Sequence, residues 1–428
     1  MGGEWPIRKL ADLCNSVDYG YTASANDTPI GPKFLRITDI VSGEINWDTV
    51  PYCEIDKSTR LKFLLHHDDV VIARTGATTG YSAYIANPPD AVFASYLVRL
   101  KIGPEADSRF VSYFLKSNQF WVYMRGVLGD KSAQPNASAK TMTQVTLPVP
   151  PLKEQQAIAH ILGTLDDKIE LNRQMNKTLE EMARAIFKSW FVDFLPVRAK
   201  MAARTQAGGL KPEIAKLFPD SFENSELGEI PKGWKVSTVG QSFRLTMGQS
   251  PPGSTYNENG EGIPFYQGRS DFGYRFPSRR VFCTAPTRFA EAGDTLVSVR
   301  APVGDVNIAN ELCAVGRGVA AILHRNGYKS FTYYSMKYLK DYFDKFEAEG
   351  TVFGSINKSD FEKLPLIAPF SGVLELFDRI VSAIDCRIKT NSYESNNLAA
   401  MRDALLPKLI SGELRIKDAE RFLKEKTI

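Results

Sequence analysis

The sequence predicts the α/β (α+β) fold class, as two domains in tandem duplication that are each followed by a long helix with a coiled-coil seam. Apolar residues alternate at spacings of four and three from Ile158 to Trp190, and the same spacing returns 219 residues later, from Phe377 onward. Such alternation is the a/d pattern of a coiled coil. Each helix therefore has a seam to bury, and the natural partner of each is the other.

The predicted seam is the apolar part of this pattern. It consists of Ile158, Leu162, Leu165, Ile169, Leu179 and Ile186 in the first helix, and Phe377, Val381, Ile384, Ile388, Leu398 and Leu405 in the second. Asn172 and Asn391 lie at matching seam positions. A buried asparagine costs stability but can fix helix register and orientation. The alternative, left open here, is that both lie at a solvated or partner-facing part of the seam.

The duplication extends upstream of the helices. The segment from Asp69 to Gly76 corresponds to Asp294 to Ala301, and Trp5 resembles Trp234. Arg74 and Arg300 are expected at matched positions of this motif. A period above 200 residues excludes solenoid repeats, whose units are about 20–50 residues long. The chain therefore reads as two large units.

Each element follows from local signals. Residues 1–152 and 227–370 contain short β-rich runs between Gly, Pro and Asn turns, then a helical stretch. Residues 153–226 hold the first long helix, over about 153–193 after Pro150 and Pro151, and a connector rich in Gly, Pro, Ala and Lys. Residues 371–428 hold the second helix, over about 372–411, which Pro407 weakens and Gly412 caps. The charged tail after it is expected to be mobile.

Composition is ordinary for a globular protein. The 428 residues are 43% hydrophobic and 24% charged. The chain opens without an apolar signal segment and has no apolar run of about 18 residues, so a cytoplasmic location is expected. The five cysteines are scattered singly, which predicts neither zinc pairs nor disulfides. The net charge of +4 is weak evidence for a polyanionic partner.

Motifs for catalysis are absent from the sequence. It has no GxxxxGK[ST] loop and no GxGxxG turn, and its four histidines form no metal triad. The tripeptide from Asn87 to Pro89 resembles part of an adenine methyltransferase motif, but Asp90 follows in place of an aromatic residue, so a turn is predicted. Asp166 and Asp167 are interpreted as a solvated helix face. We therefore expect no catalytic residue, metal or cofactor in this chain.

Several segments together resemble the specificity subunits of Type I restriction-modification systems. They are "KSAQPNASAKTMTQVTLPVPPLKEQQAIAHILGTLDDKIELNRQMN" (131–176), "KSWFVDFLPVRAKM" (188–201), "SELGEIPKGWKV" (225–236), "DDVVIARTGATTG" and "GDTLVSVRAPVGDVNIA". The resemblance covers nearly the whole chain in the family's order. The second helix departs from it, because "APFSGVLEL" replaces "PPLKEQQ".

The resemblance implies a non-catalytic, DNA-reading subunit. Residues 1–152 and 227–370 would be target recognition domains that each read half of a bipartite site, held apart by antiparallel conserved helical regions within 153–226 and 371–428. The implied partners are double-stranded DNA, two adenine methyltransferase subunits that use S-adenosylmethionine, and restriction/translocase subunits that use ATP and Mg²⁺. Independently, the seam from Ile158 to Trp190 is about 50 Å long. It could act as a ruler between half-sites, since major-groove faces recur about every 34 Å.

Candidate DNA-contacting residues are polar or basic groups in turn-rich loops, because such side chains bind base edges and phosphates. In the first half they are Tyr19, Tyr21, Lys33, Arg36, Thr38, Arg74, Thr75, Thr78, Lys131, Ser132, Gln134, Asn136 and Lys140. In the second half they are Gln249, Gln267, Arg269, Ser270, Arg300, Arg317, Thr351, Asn357 and Lys358. For each one the alternative is an ordinary surface or turn residue, and Arg74 and Arg300 in particular could be structural.

One other class of function remains open at this point. A coiled-coil scaffold could carry duplicated domains that bind protein rather than DNA. Steep loss of DNA binding with rising salt would separate the two classes, because phosphate contacts release counterions.

Overall fold

The computed structural model describes residues 5–41, 43, 45–129, 135–203, 212–348, 354–416 and 419–426. The chain forms two compact units. Unit 1 comprises Met1–Asn172 with Tyr393–Ile428, and unit 2 comprises Arg173–Ser392. Each unit therefore contains one α/β domain and a part of both long helices.

The strands and helices have the following bounds. The strands are β1 (Ile7–Lys9), β2 (Cys14–Tyr19), β3 (Lys33–Leu35), β4 (Asp69–Ala73), β5 (Ser82–Tyr84), β6 (Ala91–Phe93), β7 (Leu97–Ile102), β8 (Thr146–Pro148), β9 (Phe222–Ser225), β10 (Gly228–Pro231), β11 (Lys235–Thr238), β12 (Phe243–Met247), β13 (Tyr256–Asn257), β14 (Ile263–Tyr266), β15 (Phe282–Cys283), β16 (Phe289–Ala290), β17 (Thr295–Val299), β18 (Val303–Ile308), β19 (Cys313–Val315), β20 (Val319–His324) and β21 (Pro365–Ala368). The α-helices are α1 (Ile37–Ile40), α2 (Lys57–Phe63), α3 (Ser108–Phe114), α4 (Asn118–Leu128), α5 (Ala139–Met142), α6 (Leu152–Phe191), α7 (Leu195–Ala203), α8 (Pro212–Ala215), α9 (Val239–Ser242), α10 (Lys329–Tyr338), α11 (Lys340–Ala348), α12 (Lys358–Lys363), α13 (Ser371–Ser411) and α14 (Ala419–Lys426).

Unit 1 is built on a four-stranded antiparallel sheet in the order β2-β7-β4-β5. β3 and β6 form a separate parallel pair, and β1 pairs antiparallel with β8. The central strand β4 has the sequence DVVIA and is buried along its whole length. Such a run of β-branched residues favours a strand that is covered on both faces.

Unit 2 repeats these strand pairings and adds β13, β15 and β16, which extend its parallel pair into a five-stranded sheet. Its four-stranded sheet has the order β12-β20-β17-β18, β14 pairs in parallel with β19, and β11 pairs antiparallel with β21. The central strand β17 (TLVSV) is again fully buried. The predicted tandem duplication of an α/β domain is confirmed.

The two long helices, α6 and α13, are 40 and 41 residues long and lie close to their predicted bounds. Pro407 lies inside α13, where it removes one backbone donor. The helix nevertheless continues to Ser411, because Leu409 and Ile410 are buried in the core of unit 1. Gly412 follows with φ of 80°, the left-handed conformation expected of a C-cap glycine.

The structure places none of the predicted seam residues on the exposed surface. Five are buried, and the other seven are partly buried: Ile158, Leu162, Phe377, Val381 and Ile388 in the first group, and Leu165, Ile169, Leu179, Ile186, Ile384, Leu398 and Leu405 in the second. In unit 1, Ile158 and Leu162 share a core with Leu405 and Leu409. The two helices therefore pack on each other there through the predicted face.

The seam asparagines are buried and contact the opposite helix. In unit 1 the Asn172 Nδ2 donates to Glu394 Oε2 at 2.8 Å and lies 3.4 Å from Ser395 Oγ. In unit 2 the Asn391 Nδ2 donates to Asn176 Oδ1 at 2.9 Å. In each unit rising numbers on α6 face falling numbers on α13, so the pairing is antiparallel. The interpretation of Asn172 and Asn391 as buried register-setting residues agrees with these contacts.

Each domain docks on the helices through a matched tyrosine and aspartate. Tyr113 on α3 donates to Asp166 Oδ2 at 2.6 Å, and Tyr334 on α10 lies 3.4 Å from Asp385 Oδ1. Asp166 and Asp385 are one repeat apart. The interpretation of Asp166 as a solvated residue was wrong, since only 20% of its side chain is exposed. Asp167 remains exposed and pairs with Arg109.

The connector contains the helices α7 and α8 and the β9-β10 hairpin. One further expectation was wrong. The C-terminal tail, expected to be mobile, packs on unit 1 in its described part. Arg415 forms two hydrogen bonds of 2.8 Å with Glu154, and the Phe422 ring lies 5.8 Å from that of His160. Glu154 also accepts a hydrogen bond from Trp5, so one buried carboxylate ties the tail to the start of α6.

Candidate nucleic-acid interface

The candidate residues of unit 1 converge where β4 ends. Thr75 forms an isolated antiparallel bridge with Asn136, and the Gly76 amide donates to the Pro135 carbonyl at 2.9 Å. The Ala137 amide donates to the Arg74 carbonyl at 2.9 Å. These backbone bonds hold the loop after β4 against the segment that leads into α5.

Tyr19 and Lys140 complete this group. The Tyr19 hydroxyl accepts a hydrogen bond from the Ala139 amide at 3.0 Å, and the Arg74 guanidinium lies 4.7 Å from the Tyr19 ring centroid. Lys140 is exposed on α5. We call Tyr19, Arg74, Thr75, Asn136 and Lys140 loop cluster 1. It combines an aromatic ring, two cations, a hydroxyl and an amide within one set of adjacent loops.

The equivalent loops of unit 2 have the same backbone pattern. Arg300 bridges to Ser355, the Ile356 amide donates to the Val299 carbonyl at 3.1 Å, and the Ala301 amide donates to the Gly354 carbonyl. Comparison with unit 1 makes Arg300 the counterpart of Thr75, because the carbonyl group equivalent to that of Arg74 belongs to Val299. The expected match of Arg74 with Arg300 was therefore wrong by one residue.

Three further loops meet near Arg300. The Val299 amide donates to the Gly318 carbonyl, and the Gln249 amide donates to the Val315 carbonyl at 3.0 Å. Gly318 lies so close to Gln267 that a Cβ would be 2.2 Å from its carbonyl oxygen, which only glycine permits. We call Gln249, Gln267, Arg300 and Arg317 loop cluster 2.

Loop cluster 2 is exposed and cationic. All four of its residues are exposed. Among the described residues, no carboxylate forms an ion pair with Arg300 or Arg317, whereas Arg269 beside the cluster contacts Asp305 at 2.5 Å. Unpaired guanidinium groups on a surface are suited to phosphate or guanine.

Other predicted residues are engaged within the protein. Lys33 donates to the Val50 carbonyl at 2.7 Å, Arg36 pairs with Asp39 at 3.0 Å, and Asn357 caps α12. The Tyr21 ring packs on Phe63, and Lys358 lies 3.6 Å from Glu362. These contacts favour structural roles for these side chains.

The remaining predicted residues fall into two groups. Thr38 and Ser270 are exposed, and Thr78 is partly buried in the turn after β4. Lys131, Ser132, Gln134 and Thr351 lie outside the described residues.

The docking contacts were missed by reasoning from the sequence. Tyr113 and Tyr334 occupy equivalent places on α3 and α10, and their partners Asp166 and Asp385 share the 219-residue offset. That shared spacing is a signal that could have identified them. Arg275, which binds Asp385 from a loop of unit 2, has no such signal because unit 1 has no counterpart among its described contacts.

Across the described residues, no group of three or more His, Cys, Asp or Glu side chains is arranged to hold a metal ion. Nor is any described helix both long and apolar enough to cross a membrane. The predicted turn at Asn87 is confirmed, with a positive φ of 44° between β5 and β6.

Comparisons with known proteins agree with the duplicated architecture. The putative type I restriction enzyme MjaX specificity subunit of Methanocaldococcus jannaschii is 29% identical over 435 residues, covering 97% of this chain and 94% of the relative. The HindI specificity subunit of Haemophilus influenzae is 26% identical over 483 residues, covering 96% and 100%. The crystal structure of a Type I restriction-modification S subunit from M. genitalium matches with a TM-score of 0.59 at 18% identity, covering 95% and 96%, and supports the fold.

A family model described as the Type I restriction modification DNA specificity domain matches residues 2–181 and 231–372. The two matches fall on the two repeats and together cover more than half of the chain. The alternative of a protein-binding scaffold has no support in these comparisons. The predicted specificity subunit is therefore confirmed, and the chain belongs to the Type I restriction modification DNA specificity domain family.

Proposed function

We propose that this subunit reads a bipartite DNA site, with loop cluster 1 at one half-site and loop cluster 2 at the other. One observation carries the proposal. One position of each cluster is equivalent in the backbone, yet its side chain differs: Thr75 in unit 1 is matched by Arg300 in unit 2. Equivalent loops with different donors and acceptors are what two domains need to read different bases.

The domain assignment follows the same division. Residues 1–152 and 227–370 act as the first and second target recognition domains. Residues 153–226 provide the first helical region and connector, and residues 371–428 provide the second helical region and tail. The seam length sets the spacer between the half-sites, since the paired helices are the elements that both units share.

The chain acts without catalysis of its own. It assembles with two adenine methyltransferase subunits and with ATP-dependent restriction/translocase subunits, which bind S-adenosylmethionine, ATP and Mg²⁺. We expect it to act in the cytoplasm, where its DNA target would be accessible. Arg74, Lys140 and Arg317 hold phosphates, while Arg300 and the hydroxyl and amide groups of the clusters contact base edges.

Methylome sequencing of cells that carry this chain with its methyltransferase partner tests the proposal. We expect one bipartite motif with adenine methylation in both halves and a fixed spacer. A continuous motif, or no motif in the presence of an assembled complex, would overturn the proposal. Binding of the purified complex to that motif should also fall steeply with rising salt.

A further inference from the structure

Arg275 is a buried arginine that contacts both long helices in unit 2. It lies in the loop Phe272–Pro277 of the second domain and is only 2% exposed. Its guanidinium forms ion pairs with Glu180 of α6 and Asp385 of α13, and donates to the Tyr334 hydroxyl at 3.1 Å. The guanidinium also stacks 3.8 Å from the centroid of the Tyr333 ring.

This arrangement depends on the charge of Arg275. Burial opposes the charge, but the adjacent tyrosine rings and carboxylates outweigh it and raise the pKa of Arg275 above its ordinary value. Burial also raises the pKa of Asp385, and Arg275 and the Ser330 hydroxyl partly offset that effect. Removing the guanidinium alone would leave the partly buried Asp385 without its cation, and Glu180 with only the longer contacts to Lys337 at 3.8 Å and Arg184 at 4.0 Å, which is unfavourable.

A short series of bonds joins Arg275 to loop cluster 2. The loop that carries Arg275 is held by Asn307, whose Nδ2 donates to the Gly273 carbonyl at 2.9 Å. The Ser278 amide donates to the Asp271 carbonyl at 2.8 Å. The Asp271 side chain in turn accepts the Gln267 amide at 2.6 Å. The position of Gln267 is thus tied to both helices through a few rigid contacts.

In unit 1 the equivalent aspartate has a different cationic partner. Asp166 is the counterpart of Asp385, and its Oδ1 accepts a hydrogen bond of 2.7 Å from the Arg402 guanidinium of α13. One repeat earlier, the position of Arg402 is occupied by Ala183, which is fully buried. In unit 2 the helices therefore have no arginine at the position equivalent to Arg402, and Arg275 of the domain supplies the cation that contacts Asp385.

We infer that Arg275 is a positioning residue that sets the position of loop cluster 2 relative to both helices. It thereby determines recognition of the second half-site and of the spacer. The inference rests on the proposed bipartite reading. A domain without this arginine would fit the first position, where Arg402 is present, and would dock poorly in the second.

The test uses the assembled methyltransferase complex with full-length Arg275→Met and Arg275→Lys variants. Methylation is measured on a DNA library with each half-site and the spacer varied. For Arg275→Met we expect discrimination at the second half-site and spacer to fall about tenfold, comparable to one mismatched base pair, with the first half-site unchanged. Arg275→Lys should recover part of this loss, because it restores the charge without the two-pronged geometry. A purely structural role would lower methylation equally for all library members.

The matched control is Arg279→Met, which removes an exposed arginine of the same domain that pairs with Glu311. It should leave both half-sites unchanged. If Arg275→Met does not fold, the triple variant Glu180→Gln, Arg275→Met, Asp385→Asn removes Arg275 and its two carboxylate partners together and should fold. It should show the same relaxed second half-site.

A folded variant that lacks the Arg275 guanidinium and reads the second half-site and spacer as the wild type does would overturn the inference. Failure of the proposed function would look different, since the wild-type complex itself would then show no bipartite preference.

Discussion

Lengthening both long helices by one heptad should lengthen the preferred DNA spacer. The insertion points are between Arg173 and Gln174 in α6 and between Tyr393 and Glu394 in α13. They leave intact the Asn172–Ser395 contact of unit 1 and the Asn176–Asn391 contact of unit 2. Because a heptad preserves the a/d pattern, the seam stays buried when its inserted positions are leucine.

The size of the effect follows from helix geometry. Seven residues at a rise of 1.5 Å add about 10 Å to each helix. At 3.4 Å per base pair this corresponds to about three additional base pairs. Three base pairs also rotate the duplex by about 100°, since a turn has about 10.5 base pairs. We therefore expect a longer optimal spacer together with weaker methylation at that optimum.

The assay is methylation of a library in which the two half-sites are fixed and the spacer varies. A heptad inserted in α6 alone is the control, and it should abolish activity because the antiparallel partner no longer matches. An unchanged optimal spacer in an active double-insertion complex would refute the claim that helix length sets the spacer.

Other contacts lead to further predictions. Glu154→Gln should destabilise tail docking by about 1–3 kcal/mol at neutral pH, which hydrogen exchange at Ile416 can measure. Burial raises the pKa of Glu154, but hydrogen bonds from Arg415, Ile416 and Trp5 outweigh it and lower that pKa. The stability that Glu154 gives to tail docking is therefore present above its unfolded pKa and is lost as pH falls through its folded pKa. Hydrogen exchange at Ile416 that does not change in acid would contradict this. Asn391→Leu should lower the free energy of unfolding by about 1–3 kcal/mol, because Asn176 loses a buried hydrogen-bond partner. An unchanged free energy of unfolding in urea would argue against a register role. Arg317→Ala should reduce the slope of log affinity against log salt by about 1 without changing the motif, and an unaltered slope would exclude a phosphate contact.

Features that depend on neighbouring residues were predictable from the sequence. The bounds of α6 and α13 follow from the four-three spacing, and strands β4 and β17 follow from short runs of buried β-branched residues. The duplication itself was visible as a constant offset. Such signals are local or repeated, so a single sequence contains them in full.

Features that depend on distant contacts were not predictable. Arg275 lies 95 residues from Glu180 and 110 from Asp385, and nothing in its own loop distinguishes it from a surface arginine. The tail was expected to be mobile because it is charged, but its Arg415 has a partner 261 residues away. Several candidate DNA-contacting residues instead pair with residues of the protein itself, as Arg36 does with Asp39. The composition of a loop does not show which of its side chains will pair in this way. The partners of such side chains are visible only in the folded structure.

Exchange of residues 1–152 for the corresponding domain of another Type I specificity subunit, followed by methylome sequencing, tests the central claim most directly. The account predicts that one half of the bipartite motif changes to that of the donor, while the other half and the spacer persist. A hybrid that folds, assembles with its methyltransferase and changes both halves, or neither, would contradict the assignment of one half-site to each unit.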